Sequence, residues 1–130
     1  VYKMPVLMAF YNHGNVRMEL SEAELLASWK EFFSTGTNWK DLEKEITYEE
    51  YRKISDKNHI QKIMKMPVHF LLKSEEEFFV KKDGAALALR NEMEEIVKEP
   101  VLAEQMKDVI EYRAMDYYRR RYKEKIKALL

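Results

Sequence analysis

Cysteine is absent from the 130 residues, which excludes disulfides and thiolate metal sites. Glycine and proline number only three each, and no internal repeat or low-complexity run occurs. Net charge is missing too. Twenty-three basic residues balance 23 acidic ones, which argues against nucleic-acid binding by bulk charge, so any such binding must use a local patch. No apolar run approaches the length of a membrane span, and the start shows no signal-peptide pattern. Catalytic patterns are lacking as well: there is no Ser/His/Asp set, no paired-carboxylate motif and no metal cluster. His13, His59 and His69 have no paired spacing, so metal binding is not expected. The sequence therefore predicts no catalytic residue, no metal and no cofactor.

What remains is 46% hydrophobic and 35% charged, the composition of a globular chain long enough for one domain with one core. It fits a cytoplasmic protein. An opening of Val-Tyr-Lys reads as a fragment of something longer.

The stretch NHIQKIMKMPVHFLLKSEEEFFVKKDGAALALRN, residues 58–91, organises the rest. Ile60, Ile63, Met64, Val68, Leu71 and Leu72 follow helical spacing. Pro67 disfavours helix at the residue before it, so two helices are expected, at about 58–65 and 67–73. Residues 78–82 and 85–90 then flank Asp83-Gly84, a preferred type I′ turn pair. Helix followed by basic hairpin is the presentation of a winged-helix domain.

Residues 4–13 are apolar nearly throughout and form either a short buried helix or a strand, the helix being preferred because Pro5 suits a first helical turn. Residues 16–20, VRMEL, alternate as a half-buried strand does and supply a third strand for the hairpin. Ser21 and Glu24 form a capping box, and Leu25, Leu26, Trp29, Phe32 and Phe33 line one helical face. Residues 34–38 are a loop that lacks the Gly-Lys-Ser/Thr ending of a P-loop. Residues 39–57 are highly charged and look like an insertion, with Trp39, Leu42 and Ile46 as anchors and a second capping box at Thr47 and Glu50. Residues 92–99 read as a short acidic helix, and 101–127 as one long helix or a broken one.

The expected fold is thus one domain over 1–130. It is mainly α with a small β-hairpin or three-stranded sheet, winged-helix-like, with a 39–57 insertion and a C-terminal helical extension over 92–130.

Two basic patches are candidates for phosphate contact. The first is the wing, Lys81 and Lys82. Its plainer explanation is a solvated turn, since Asp83 and Glu75-Glu76-Glu77 offset the charge. The second is the C-terminal stretch from Arg113 to Lys127, with seven basic residues against two acidic. Arg119, Arg120 and Lys123 are its candidate contacts, because arginine can clamp phosphates in a bidentate way. Arg119, Arg120 and Arg121 spread over about 200° of a helix and cannot all face one ligand. The tyrosines nearby are better explained as core packing than as base stacking. Lys62, Lys65 and Lys73 on the helices before the wing would assist. A separate pairing, Arg52 with His59 seven residues on, loosely fits the Arg-(x)4–6-His pattern of a small helical ribonuclease class. Such a pattern arises easily by chance in a charged helical chain.

The blocks MPVLMAFYNHGNVRMEL, FFSTGTNWKDL, MPVHFLLKSEEEFF and VIEYRAMDYYRRRY resemble the C-terminal segment of large bacterial superfamily II (DEAD/DEAH-type) helicases, some of them restriction-associated. The resemblance covers nearly the whole chain. It implies an accessory module, with the ATPase motor upstream as a partner within the same polypeptide. Neither a Walker lysine nor a DEAD-type acidic box occurs here, so ATP hydrolysis carries over to no residue. The expected function is non-catalytic binding of DNA, or of RNA. The alternative is a protein-interaction or dimerisation module that docks motor domains through Phe10, Tyr11, Tyr117 and Tyr118. The distant alternative is the ribonuclease.

Overall fold

The computed structural model describes residues 2–12, 15–101, 104–105 and 108. It is mainly helical with a small three-stranded antiparallel sheet. No helix among the described residues is long and apolar enough to cross a membrane.

The first helix, α1 (Lys3–Phe10), is apolar on most sides and accordingly lies inside, with Met4, Pro5, Val6, Ala9 and Phe10 buried. Pro5 sits in the first turn, where its missing N–H breaks no helical bond. The expected helix over 4–13 ends early because the chain turns extended: β1 (Tyr11–Asn12) pairs with β2 (Asn15–Val16).

The single strand expected over 16–20 is divided. β2 belongs to that small hairpin, while β3 (Glu19–Leu20) joins the larger sheet. The chain changes partner at Arg17–Met18: the Arg17 N–H donates to Phe10 O, and Met18 O accepts from Leu89 N–H. The alternation read in the sequence survives this change. Leu20 is fully buried and Glu19 exposed.

The second helix, α2 (Glu22–Ser34), starts at the expected capping box. Ser21 Oγ accepts from the Glu24 N–H at 3.1 Å, and Glu24 Oε1 accepts from the Ser21 N–H at 3.0 Å. The Ser21 N–H, donating to its carboxylate, holds the Glu24 carboxyl below its usual range against the opposing effect of burial, and the Ser21 hydroxyl and Arg17 add to the lowering. Leu25, Trp29, Phe32 and Phe33 are the buried face of α2. A 3-10 turn (Asn38–Asp41) and α3 (Tyr48–Arg52) follow. The second capping box is also present, at Thr47 and Glu50.

Residues 39–57 contribute more to the core than their charge suggests. Leu42 is 1% exposed, Tyr51 is buried, and Trp39, Ile46 and Ile54 pack against the core.

The largest departure comes at Pro67. Instead of two helices with a break, α4 (Asp56–Ile63) passes into a π-helical turn (Met64–Val68) and on into α5 (His69–Ser74). The wider i→i+5 turn relieves the clash between the proline ring and the carbonyl four residues back. The helix therefore continues across the proline, with Pro67 and Val68 buried.

In the sheet, β5 (Leu87–Leu89) is central and buried, flanked by β3 and by β4 (Phe79–Val80). Leu20 pairs with Leu87, and Phe79 pairs with Leu89. The β4–β5 turn is not type I′. That type needs positive φ at both central residues, and only Gly84 has it, at 83°. Residues 81–86 form a longer connection, closed by Ala85 N–H to Lys82 O at 3.1 Å. A 3-10 turn (Asn91–Met93) and α6 (Glu94–Val97) stand where the acidic helix was expected. Most of the expected 101–127 helix lies outside the described residues.

The core is assembled by α1 packing on α2 and α2 on α4. If the Ser21 cap sets the start of α2, Ser21→Ala should lower stability by about 1 kcal/mol. Urea unfolding would show this as a lower midpoint at constant slope, and an unchanged midpoint would contradict it.

Candidate nucleic-acid interface

The two wing lysines differ. Lys81 is exposed, whereas Lys82 Nζ reaches Glu19 at 2.8 Å, across the sheet on β3. The hydrogen bond and the charge of Glu19 raise the Lys82 pKa. Lys82 therefore meets a phosphate only in competition with an internal carboxylate. Arg119, Arg120 and Lys123 lie outside the described residues, as do Tyr117 and Tyr118. Of the two sequence-predicted patches, the structure thus describes only the wing.

Among the assisting lysines, Lys62 is a structural residue. Its Nζ donates to Leu42 O at 2.8 Å, lies 3.5 Å from Glu43 Oε1 and sits over the Tyr2 ring at 5.4 Å. Lys65 and Lys73 are exposed and form no ion pair among the described residues.

Continuity across Pro67 brings together residues that two separate helices would have divided. Lys57, Asn58, Gln61, Lys65, His69 and Lys73 are all exposed along the rod from α4 to α5, while His59, Ile63, Val68 and Leu71 are buried. The rod contains one acidic residue, Asp56, and Lys30 pairs with it at 2.9 Å. The result is an exposed row of three cations and two carboxamides. Sequence reasoning missed Lys57, Asn58 and Gln61. The signal available was their spacing relative to Ile60 and Ile63, which the expected break at Pro67 obscured. His69, expected near the core, is exposed instead, because the π turn shifts every later residue around the axis. Glu75, Glu76 and Glu77 mark the far limit of the row.

The Arg52–His59 pair is not arranged as a phosphate clamp with an acid–base partner. Arg52 is exposed, stacked over Tyr48 and 3.8 Å from Glu49. His59 is only 3% exposed. Its Nδ1 accepts the Trp29 indole N–H at 3.0 Å, and its ring meets Tyr51 edge-on. Because the indole only donates, Nδ1 carries the lone pair and the neutral ring holds its proton on Nε2. Phe10, expected on a docking surface, is 1% exposed and belongs to the core. Among the described residues no group of three His, Asp or Glu side chains is placed to hold a metal ion.

Burial lowers the His59 pKa by penalising the imidazolium. Lys30 and Lys62 lower it further, and Asp56 opposes them. The folded state thus binds this proton less readily than the unfolded chain does. The resulting stability is fully present above the unfolded histidine pKa of about 6.5, and is lost as pH falls from there through the folded value. The thermal midpoint should be level above about pH 6.5 and decline below it. In His59→Gln the part of that decline nearest neutrality should disappear, even if the variant is less stable throughout. An identical pH profile for both proteins would contradict this account.

No family model matches the chain, and no curated protein or solved structure matches it.

Proposed function

We propose that this domain is a winged-helix-like, non-catalytic nucleic-acid-binding module, directed to DNA, that reads the duplex through the α4–α5 rod more than through its wing. The observation that carries the reading is the exposed row on that rod. Lys57, Lys65 and Lys73 would bind phosphates, and the Asn58 and Gln61 carboxamides are suited to base edges. Two features of the fold support it. Apart from the β1–β2 hairpin and the 3-10 turn and α3 that precede the rod, the elements run helix, strand, helix, rod, strand, turn, strand, and the sheet order is β3-β5-β4. That is the arrangement in which a winged helix offers the helix before its hairpin to the major groove.

Lys81 would add a backbone contact from the turn, with Lys82 contributing once released from Glu19. Arg119, Arg120 and Lys123 remain part of the proposal on their sequence alone. The accessory role beside a superfamily II motor rests likewise on the sequence blocks, and a cytoplasmic setting rests on the composition. The neutral overall charge implies binding that is weak at physiological salt.

A protein-interaction role is the second reading, favoured by Phe70 and Phe78, which are 49% and 43% exposed. Anisotropy titrations with duplex and single-stranded DNA at low salt distinguish the two. The nucleic-acid reading expects saturable binding. In Lys65→Glu with Lys73→Glu, affinity should drop at least about tenfold, and the salt dependence should lose about two phosphates' worth of slope. Absence of binding to either DNA at low salt would overturn it.

A further inference from the structure

A cavity of about 440 Å³ lies between the segment after α2 and the α4–π rod. That is within the ~300–1,000 Å³ typical of small-molecule sites. Its two sides differ in chemistry. Leu42, Ile46 and Ile54 give the side formed by residues 42–54 its apolar surface, with Glu43 and Glu50 at its edge, and Met66 adds apolar surface from the π turn. The helical side presents Asn58, His59, Gln61 and Lys65.

The charged groups around it are not equally available. Lys62 is held by Leu42 O and Glu43, and Glu50 Oε1 is held by the Thr47 N–H and hydroxyl. Lys65 has no such partner among the described residues. His59 is the most informative member. It is a buried side chain whose Nδ1 is fixed by Trp29, so it offers a neutral N–H donor from Nε2, and that atom has no hydrogen-bond partner among the described residues. A rigid neutral donor, one available cation and an apolar wall together suit an acceptor of negative charge on an apolar body.

We propose that this cavity is a binding site for a small monocarboxylate with an apolar tail. The tail lies against Leu42, Ile46, Ile54 and Met66. The carboxylate accepts from the His59 Nε2–H and pairs with Lys65. The site does not depend on the nucleic-acid reading and is tested without nucleic acid.

The probe is octanoate, titrated into the isotope-labelled chain and followed by the Trp29 indole and His59 imidazole resonances. Octylammonium, with the same tail and the opposite charge, is the control. Saturable shifts at both residues are expected with octanoate, with a Kd on the order of 1 mM, and none with octylammonium. Lys65→Gln removes an exposed side chain and should leave the fold intact while weakening octanoate about tenfold. No shift with octanoate would overturn the proposal. So would equal shifts with both probes, which would reveal an apolar slot indifferent to charge. Octanoate affinity unchanged in Lys65→Gln would remove the assigned cation.

Discussion

The hydrogen bond from the Trp29 indole to His59 Nδ1 is the constraint on which the rest of the arrangement depends. It joins α2 to α4 inside the core, where neither group has water as an alternative partner. The net gain from such a bond is modest, about 1 kcal/mol, but leaving either group buried and unpaired costs roughly 1–3 kcal/mol. Only an approach of the two helices that satisfies both groups is therefore compatible with burying Trp29. That approach fixes the rotation of α4 about its own axis. With His59 and Ile63 turned inward, Asn58, Gln61 and Lys65 must turn outward. The exposed polar row is the geometric complement of one buried bond.

Pro67 decides how far that row extends. A break there would have let α5 take its own direction, separating Lys73 from Lys65. The π turn keeps one rod, at the cost of poorer helical bonds over residues 64–68. Burial of Val68 and Leu71 against the core offsets that loss, each contributing on the order of 1.5–3 kcal/mol. Tertiary packing thus overrides a strong local signal.

The same distinction explains what the sequence makes visible. Both capping boxes could be read directly, because a cap involves residues three apart and needs no knowledge of the fold. The aromatic face of α2 and the three-stranded sheet could be read from periodicity and strand alternation. The turn at Asp83-Gly84 is located correctly by the sequence but mistyped as I′. The same dipeptide serves several turns, and the register is set by β3 pairing with β5 from far away in the chain. Residues 39–57 were undervalued because one Leu and one Tyr among many charges carry little periodicity, yet Leu42 and Tyr51 are core residues. His59 was weighed as a ligand or acid–base group because nothing in its neighbours announces Trp29, thirty residues earlier. Of the candidate site, Lys65 and Lys73 were legible as charges, but not their alignment, which required the continuous rod.

Charge placement bears on function more than charge count does. The balance of 23 against 23 hides a division of labour among the described lysines. Lys30, Lys62 and Lys82 each meet a carboxylate and serve the fold or its surface. Lys57, Lys65, Lys73 and Lys81 form no ion pair among the described residues. A pair such as Lys82–Glu19, half exposed on both sides, adds little stability. Its main effect is to cancel a positive field at the wing. The charges of Lys57, Lys65 and Lys73 on the α4–α5 rod form no ion pair among the described residues, and screening at physiological salt confines their reach to about 8 Å. A field so short acts on a ligand already in contact and gives little long-range steering. An anion bound as proposed would therefore be recognised by fit along the rod, which is where the carboxamides and the cavity also lie.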